Sequence, residues 1–152
     1  MSNPNDITPK RKLKIDLSEL ELAFDNASWE AEYYLDVETG EVILIGSMIG
    51  QQEAITRQIE DVSNRARYLK VPHANPRDGF QDMQRFIDTV QDAQLQKLLA
   101  VAIEGKGAFR RFKNVLPDYP QERERWFRFQ ADRLRQRILD WLEGEDIQVI
   151  DN

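Results

Sequence analysis

Apolar residues recur along this chain with two periods, near two in its first half and near 3.6 in its second. Leu13, Ile15 and Leu17 alternate with Lys14 and Asp16, which predicts a short extended entry. Ser18-Glu19-Leu20-Glu21 then has the form of a capping box, the Ser18 hydroxyl accepting from the Glu21 amide while the Glu21 carboxylate reaches back to the Ser18 amide. With Leu17 and Leu22 placed for a hydrophobic staple, it predicts a helix from Ser18 to about Asn26 that faces Leu20 and Phe24 inward. Tyr33 and Leu35 alternate with Tyr34 and Asp36, and Val42 to Ile45 is rich in β-branched residues, so residues 30–46 predict a hairpin. Its turn runs from Asp36 to Glu41, with Gly40 supplying the positive φ. Ile55, Ile59 and Val62 predict a helix from Gln51 to about Arg65, and Tyr68 to Val71 a third strand ended by Pro72.

The remainder reads as helices. Phe80, Met83, Phe86, Ile87 and Val90 form one stripe, Leu95, Leu98, Leu99 and Ala102 a second, and Ala108, Phe109, Phe112, Val115 and Leu116 a third. The longest, from about Gln121 to Glu143, repeats Phe127, Ala131, Leu134, Ile138, Trp141 and Leu142, followed by a stop at Gly144. Residues 147–150 fit a short closing strand. The expected fold class is α+β: a small, mostly antiparallel sheet drawn from residues 31–46, 67–71 and 146–150, packed against about six helices. Residues 1–11 are expected to be a disordered tail and 12–152 a single domain.

Composition narrows the classes. The 152 residues are 41% hydrophobic and 32% charged, too apolar for a disordered chain and too charged for a membrane protein. No cysteine is present, which removes disulfides, thiolate metal sites and cysteine nucleophiles. The N-terminal residues lack the apolar run of a secretory signal, so a cytoplasmic setting without membrane contact is expected. Net charge is −6, from 21 Lys and Arg against 27 Asp and Glu, and it is unevenly spread. Residues 15–61 hold twelve acids against Arg57 alone, whereas residues 105–137 hold ten bases against four acids.

The chemical motifs resolve mostly into structure. Gly105-Lys106-Gly107 lacks the Ser or Thr and the preceding strand of a phosphate loop, and is expected to be a helix–helix corner. The one histidine, His73, lies between prolines without a nucleophile elbow or ligand spacing around it, and is read as structural. The acidic hairpin turn does not match a calcium loop. Carboxylates four apart, Asp78 with Asp82 and Asp88 with Asp92, are expected on solvated helix faces. No catalytic residue, cofactor or metal site is therefore expected. The basic helical face stands out: Lys106, Arg110, Arg111, Lys113, Arg123 and Arg128 with Trp126 form the expected partner-binding set. This face either pairs with the acidic N-terminal half within one fold or docks an acidic protein or the chain itself as a homo-oligomer, with nucleic acid second because overall negative charge opposes phosphate binding.

Four segments carry a likeness: Leu35-Asp36-Val37-Glu38-Thr39-Gly40-Glu41-Val42, Arg85-Phe86-Ile87-Asp88-Thr89-Val90, Glu104-Gly105-Lys106-Gly107-Ala108-Phe109-Arg110-Arg111-Phe112-Lys113 and Glu124-Arg125-Trp126-Phe127-Arg128-Phe129. From Tyr34 onward their order resembles an uncharacterised bacterial protein family. That resemblance implies a bacterial protein and brings no activity, substrate, cofactor or partner. The function expected from the residues is a non-enzymatic protein–protein interaction or regulatory module; the alternative is a nucleic-acid-binding accessory protein using the same basic face.

Overall fold

The structure, a computed structural model, describes residues 11–46 and 53–150. Residues 1–10 of the expected tail, and the first two residues of the helix expected from Gln51, lie outside the described residues. Asn75–Arg135 form one compact unit, here the helical unit, and the other described residues form a second, the hairpin unit.

The hairpin unit begins with β1 (Arg11–Leu13), so Arg11 is a strand residue, and continues into α1 (Leu17–Asn26). Asp16, not Ser18, caps this helix, its carboxylate accepting from the Ser18 amide at 2.9 Å. A carboxylate at the positive end of a helix does the work of a hydroxyl and adds charge attraction. Leu20 and Ala23 are buried and Phe24 meets Trp141 edge-on at 5.5 Å, whereas Leu22 is 62% exposed and cannot act as a staple. The expected hairpin forms from β2 (Ala31–Asp36) and β3 (Val42–Gly46), with Leu35 opposite Val42.

After it, α2 (Glu53–Glu60) is shorter than the apolar spacing predicts. Asp61 ends it by capping a 3-10 turn over Val62–Asn64, accepting from the Ser63 amide and hydroxyl at 3.0 and 2.8 Å, and Val62 turns outward. β4 (Tyr68–Lys70) pairs antiparallel with β2, giving the order β3-β2-β4. The closing strand β5 (Ile147–Val149) forms, but it pairs in parallel with β1 as a separate two-stranded sheet instead of extending the hairpin sheet.

The helical unit opens at Asn75, whose side chain accepts from the Arg77 amide while Pro76 takes the first helical position of α3 (Pro76–Thr89). Asp92 caps α4 (Ala93–Ala102) by accepting from the Gln94 and Leu95 amides. Next come α5 (Ala108–Val115), a 3-10 turn over Leu116–Asp118, and α6 (Pro120–Gly144), whose residues from Gln136 onward belong to the hairpin unit. The apolar stripes meet in a core that includes Met83, Phe86, Leu95, Leu99, Phe112 and Trp126. Three rings interlock there edge-to-face: Phe86–Trp126 at 5.2 Å, Phe112–Trp126 at 4.8 Å and Phe86–Phe112 at 6.2 Å. Among the described residues no helix is long and apolar enough to cross a membrane.

One glycine of the hairpin turn is required twice over. Gly40 has φ +81°, and a Cβ added there would lie 2.1 Å from the Lys14 carbonyl oxygen. Gly40→Ala is expected to destabilise the fold by at least about 1–3 kcal/mol through backbone strain alone, read as a lower urea midpoint; an unchanged midpoint would contradict this packing.

Candidate functional site

The expected partner-binding residues divide into two groups once side-chain contacts are followed. Arg111 is not free. Its Nε donates to the Ala102 carbonyl at 2.9 Å, and its terminal nitrogens donate to the Glu104 and Lys106 carbonyls. One guanidinium thus gathers the last carbonyl of α4 and two carbonyls of the corner that follows it. Gly105 and Gly107, at φ +75° and +78°, fold the chain back so that this can happen, and a Cβ on Gly107 would sit 3.3 Å from Arg111 Nη1. The corner therefore converges carbonyl oxygens on a cation, the opposite polarity to a phosphate-binding turn, where amides converge on an anion.

Trp126 is also withdrawn from the surface. It is 4% exposed and sits in the core beneath Phe86, Phe112 and Phe129. The early part of α6 is turned relative to the stripe that begins at Phe127, which is 50% exposed. Its inward line instead runs through Glu122, Arg125, Trp126, Phe129 and Arg133, all buried or half-buried. Arginine can occupy such a line when its stem packs and its head is paired. Arg125 lies 4.4 Å over the Phe86 ring, forks onto Glu122 at 3.0 and 2.7 Å and donates to Thr89 Oγ1 at 2.7 Å. Arg133 Nε donates to Asp82 at 3.1 Å, and Asp82 is 1% exposed, so this carboxylate is buried and paired instead of solvated.

The other candidates stay outside. Lys106, Arg110, Lys113, Arg123 and Arg128 are all exposed, and none makes an ion pair with a described residue. Arg110 and Lys113 share the outer face of α5 with Phe109, and Arg123, Phe127 and Arg128 share the outer face of α6, where Arg123 lies 5.4 Å over the Phe127 ring. The helical unit carries twelve Lys and Arg against nine Asp and Glu, a net of +3; the rest of the sequence carries nine against eighteen, a net of −9.

Two further places have chemical character. A cavity of about 810 Å³ in the helical unit is lined by Thr89, Asp92, Asp118, Tyr119, Glu122 and Arg125, among others. In the hairpin unit Trp29 is 86% exposed and stands edge-on to His73 at 4.8 Å, and the His73 Nε2 is buried without a hydrogen-bond partner. The acidic half of the hairpin is tied internally where it is buried. Asp36, 3% exposed, accepts from Arg67 at 3.1 and 3.0 Å and from the Glu38 amide at 2.9 Å. Burial pushes its carboxyl up, but the Arg67 hydrogen bond, the Glu38 amide, the Arg67 charge and the Thr39 hydroxyl together hold it below its ordinary value. Glu32 is lowered chiefly by its Lys70 hydrogen bond, and burial together with Glu32 pushes the Tyr34 phenol up to about 12. Among the described residues no three His, Asp or Glu side chains gather as a metal-ligand group.

A fold of α+β class whose glycine-flanked and aromatic segments build corners and cores, with exposed cations on the outer sides of α5 and α6, is what the chain presents to comparison. The chain belongs to the uncharacterised protein family UPF0158, whose family model matches residues 10–152 and so takes in the N-terminal segment that the motif resemblance left out. It is similar to a UPF0158 protein of Pseudomonas aeruginosa, 33% identical over 138 residues, covering 91% of this chain and 87% of that one. UPF0158 proteins of Chlamydia trachomatis and Chlamydia muridarum are 25% and 24% identical over 144 residues. Those matches cover 93% of this chain and 44% and 43% of the chlamydial proteins, so the chain spans less than half of their length. No solved structure matches the chain.

Arg111→Ala is expected to lower stability by about 2 kcal/mol, the worth of hydrogen bonds to a charged group, while Arg110→Ala leaves it within about 0.5 kcal/mol as an exposed change. Parallel urea melts test the pair, and equal midpoints would contradict the division. Asp36 adds a pH dependence: a depressed folded pKa contributes stability that is complete above the ordinary value of 3.8 and is lost as pH falls through the lower folded value. The stability difference between the wild type and Asp36→Asn should therefore shrink below pH 3.8; a constant difference would refute the assignment.

Proposed function

We propose that this protein is a non-catalytic, cytoplasmic interaction module whose basic face, on the outer sides of α5 and the start of α6, docks an acidic protein. The observation that carries this reading is the contrast among the cations. Arg67, Arg111, Arg125 and Arg133 each have a hydrogen-bonded Nε, whereas Arg110, Lys113 and Arg128 are exposed and without an ion pair to a described residue. Charges tied into a fold serve stability; exposed cations beside half-exposed rings, outnumbering the exposed Glu124 on the same face of α6, serve association. Phe109 and Phe127, 45% and 50% exposed, supply apolar area to such a contact. A guanidinium fork suits carboxylates and a lysine adds a mobile point charge, so a surface of Asp and Glu is the matching chemistry.

The test is a calorimetric titration with polyglutamate, set beside single- and double-stranded nucleic acid at matched charge. Polyglutamate is expected to bind at low ionic strength and to weaken as salt rises. Arg110→Glu/Lys113→Glu/Arg128→Glu should lose at least about tenfold in affinity, since several exposed pairs of about 0.2–1 kcal/mol each change sign. Nucleic-acid binding with a steep salt slope that outlasts polyglutamate binding would replace this reading with a phosphate-reading one.

A further inference from the structure

We infer that the acidic partner is a second copy of this chain, seated through Trp29; the inference rests on the reading of the α5–α6 face as a docking surface. Trp29 is 86% exposed, above every other large hydrophobic side chain left outside among the described residues. It is not a loose side chain. Ser28 Oγ accepts from the Glu30 amide at 3.3 Å and the Ala31 amide at 3.2 Å, and the Ser28 amide donates to the Ala31 carbonyl at 2.9 Å. The preceding carbonyl, of Ala27, accepts from the Ala74 amide at 3.2 Å, and the indole is braced edge-on against His73 at an interplanar angle of 83°. The turn fixes the backbone from which the ring projects and His73 backs one edge of it, so docking has less backbone freedom to remove, which favours an interface anchor.

Its surroundings select the partner by charge. Glu30 is exposed beside Trp29, and the sequence outside the helical unit has a net charge of −9. An exposed indole with a carboxylate as its next residue suits a guanidinium, which offers cation–π attraction to the ring and a charge-assisted hydrogen bond to the carboxylate. The helical unit offers Arg110 and Arg128 on outer helix faces, with net charge +3. Each copy carries both halves of this contact, at equal concentration and of opposite sign. The hairpin unit of one copy therefore meets the helical unit of another, a heterologous contact in which Trp29 and Glu30 receive an arginine.

Sedimentation equilibrium of the full chain tests this at ionic strengths of about 0.01 M and about 1 M, where the Debye length falls from about 30 Å to about 3 Å. Association at low salt, lost at high salt, is expected. Trp29→Ala and Arg110→Glu/Arg128→Glu should each weaken it at least about tenfold, the loss of one anchor or of its charge partner. Glu30→Arg mixed with Arg110→Glu/Arg128→Glu should associate although neither does alone. Trp29→Ala leaves the basic face intact, so it should fold and bind polyglutamate as the wild type does. A monomer at every salt that still binds polyglutamate overturns the self-association and leaves the docking face standing; a monomer that binds none overturns both. Association indifferent to Trp29→Ala and to the arginine reversal also overturns the inference.

Discussion

A guanidinium laid against an aromatic core must have its N–H groups met, and that constraint decides which side of α6 faces inward. Arg125 lies over Phe86 and is held by Glu122 and Thr89, and two turns further on Arg133 reaches the buried Asp82. With both heads satisfied, Trp126 can fill the space among Phe86, Phe112 and Phe129. Removing Arg133 alone would leave the Asp82 carboxylate buried and without this partner, which costs far more than the pair contributes, whereas Arg125 and Glu122 are part-exposed and water can meet either one. The arrangement thus spends cations on orientation, and Phe127 and Arg128 face outward as a consequence.

The same logic explains the glycine-flanked segment at residues 104–113. Gly105, Gly107 and Arg111 form a single device in which two left-handed turns present carbonyls to one guanidinium. Arg110, its neighbour in sequence, points away and is unencumbered. Adjacent arginines on one helix therefore have different physical roles, and the functional reading follows from what remains after the fold has taken its share. The matches to relatives carry the family and not a task, so the basic face stands on its chemistry alone.

Local signals were legible where a single segment decides the outcome. The hairpin and its glycine turn follow from periodicity and from residues a few positions apart, and so do most of the helical stripes from Phe80 to Leu116; Leu98 and Phe109, counted in those stripes, are each 45% exposed and lie outside the core. The starts of α1, α3 and α4 went to the carboxylates or amide of Asp16, Asn75 and Asp92, and at α1 that was two positions before the Ser18 that the box pattern favours. What sequence spacing does not carry is pairing at a distance. Asp36 with Arg67, Thr89 with Arg125 and Asp82 with Arg133 are separated by 31, 36 and 51 residues. Because the α6 stripe depends on the last two of these, periodicity alone placed Phe127 inside and Trp126 outside. Strong charge in Glu122, Arg125 and Arg133 masked the inward line, since a hydrophobic pattern counts such residues as surface.

Nitrogen-resolved proton exchange at the arginine Nε positions addresses the division of the cations most directly. In dilute, high-salt solution the Nε–H of Arg67, Arg111, Arg125 and Arg133 should exchange slowly, each being bonded to a carboxylate or carbonyl, while those of Arg110 and Arg128 exchange at the rate of a solvated guanidinium. Protection at Arg110 and Arg128, or rapid exchange at Arg111 and Arg133, would mean that the fold draws on a different set of arginines and that the face assigned to docking is already occupied.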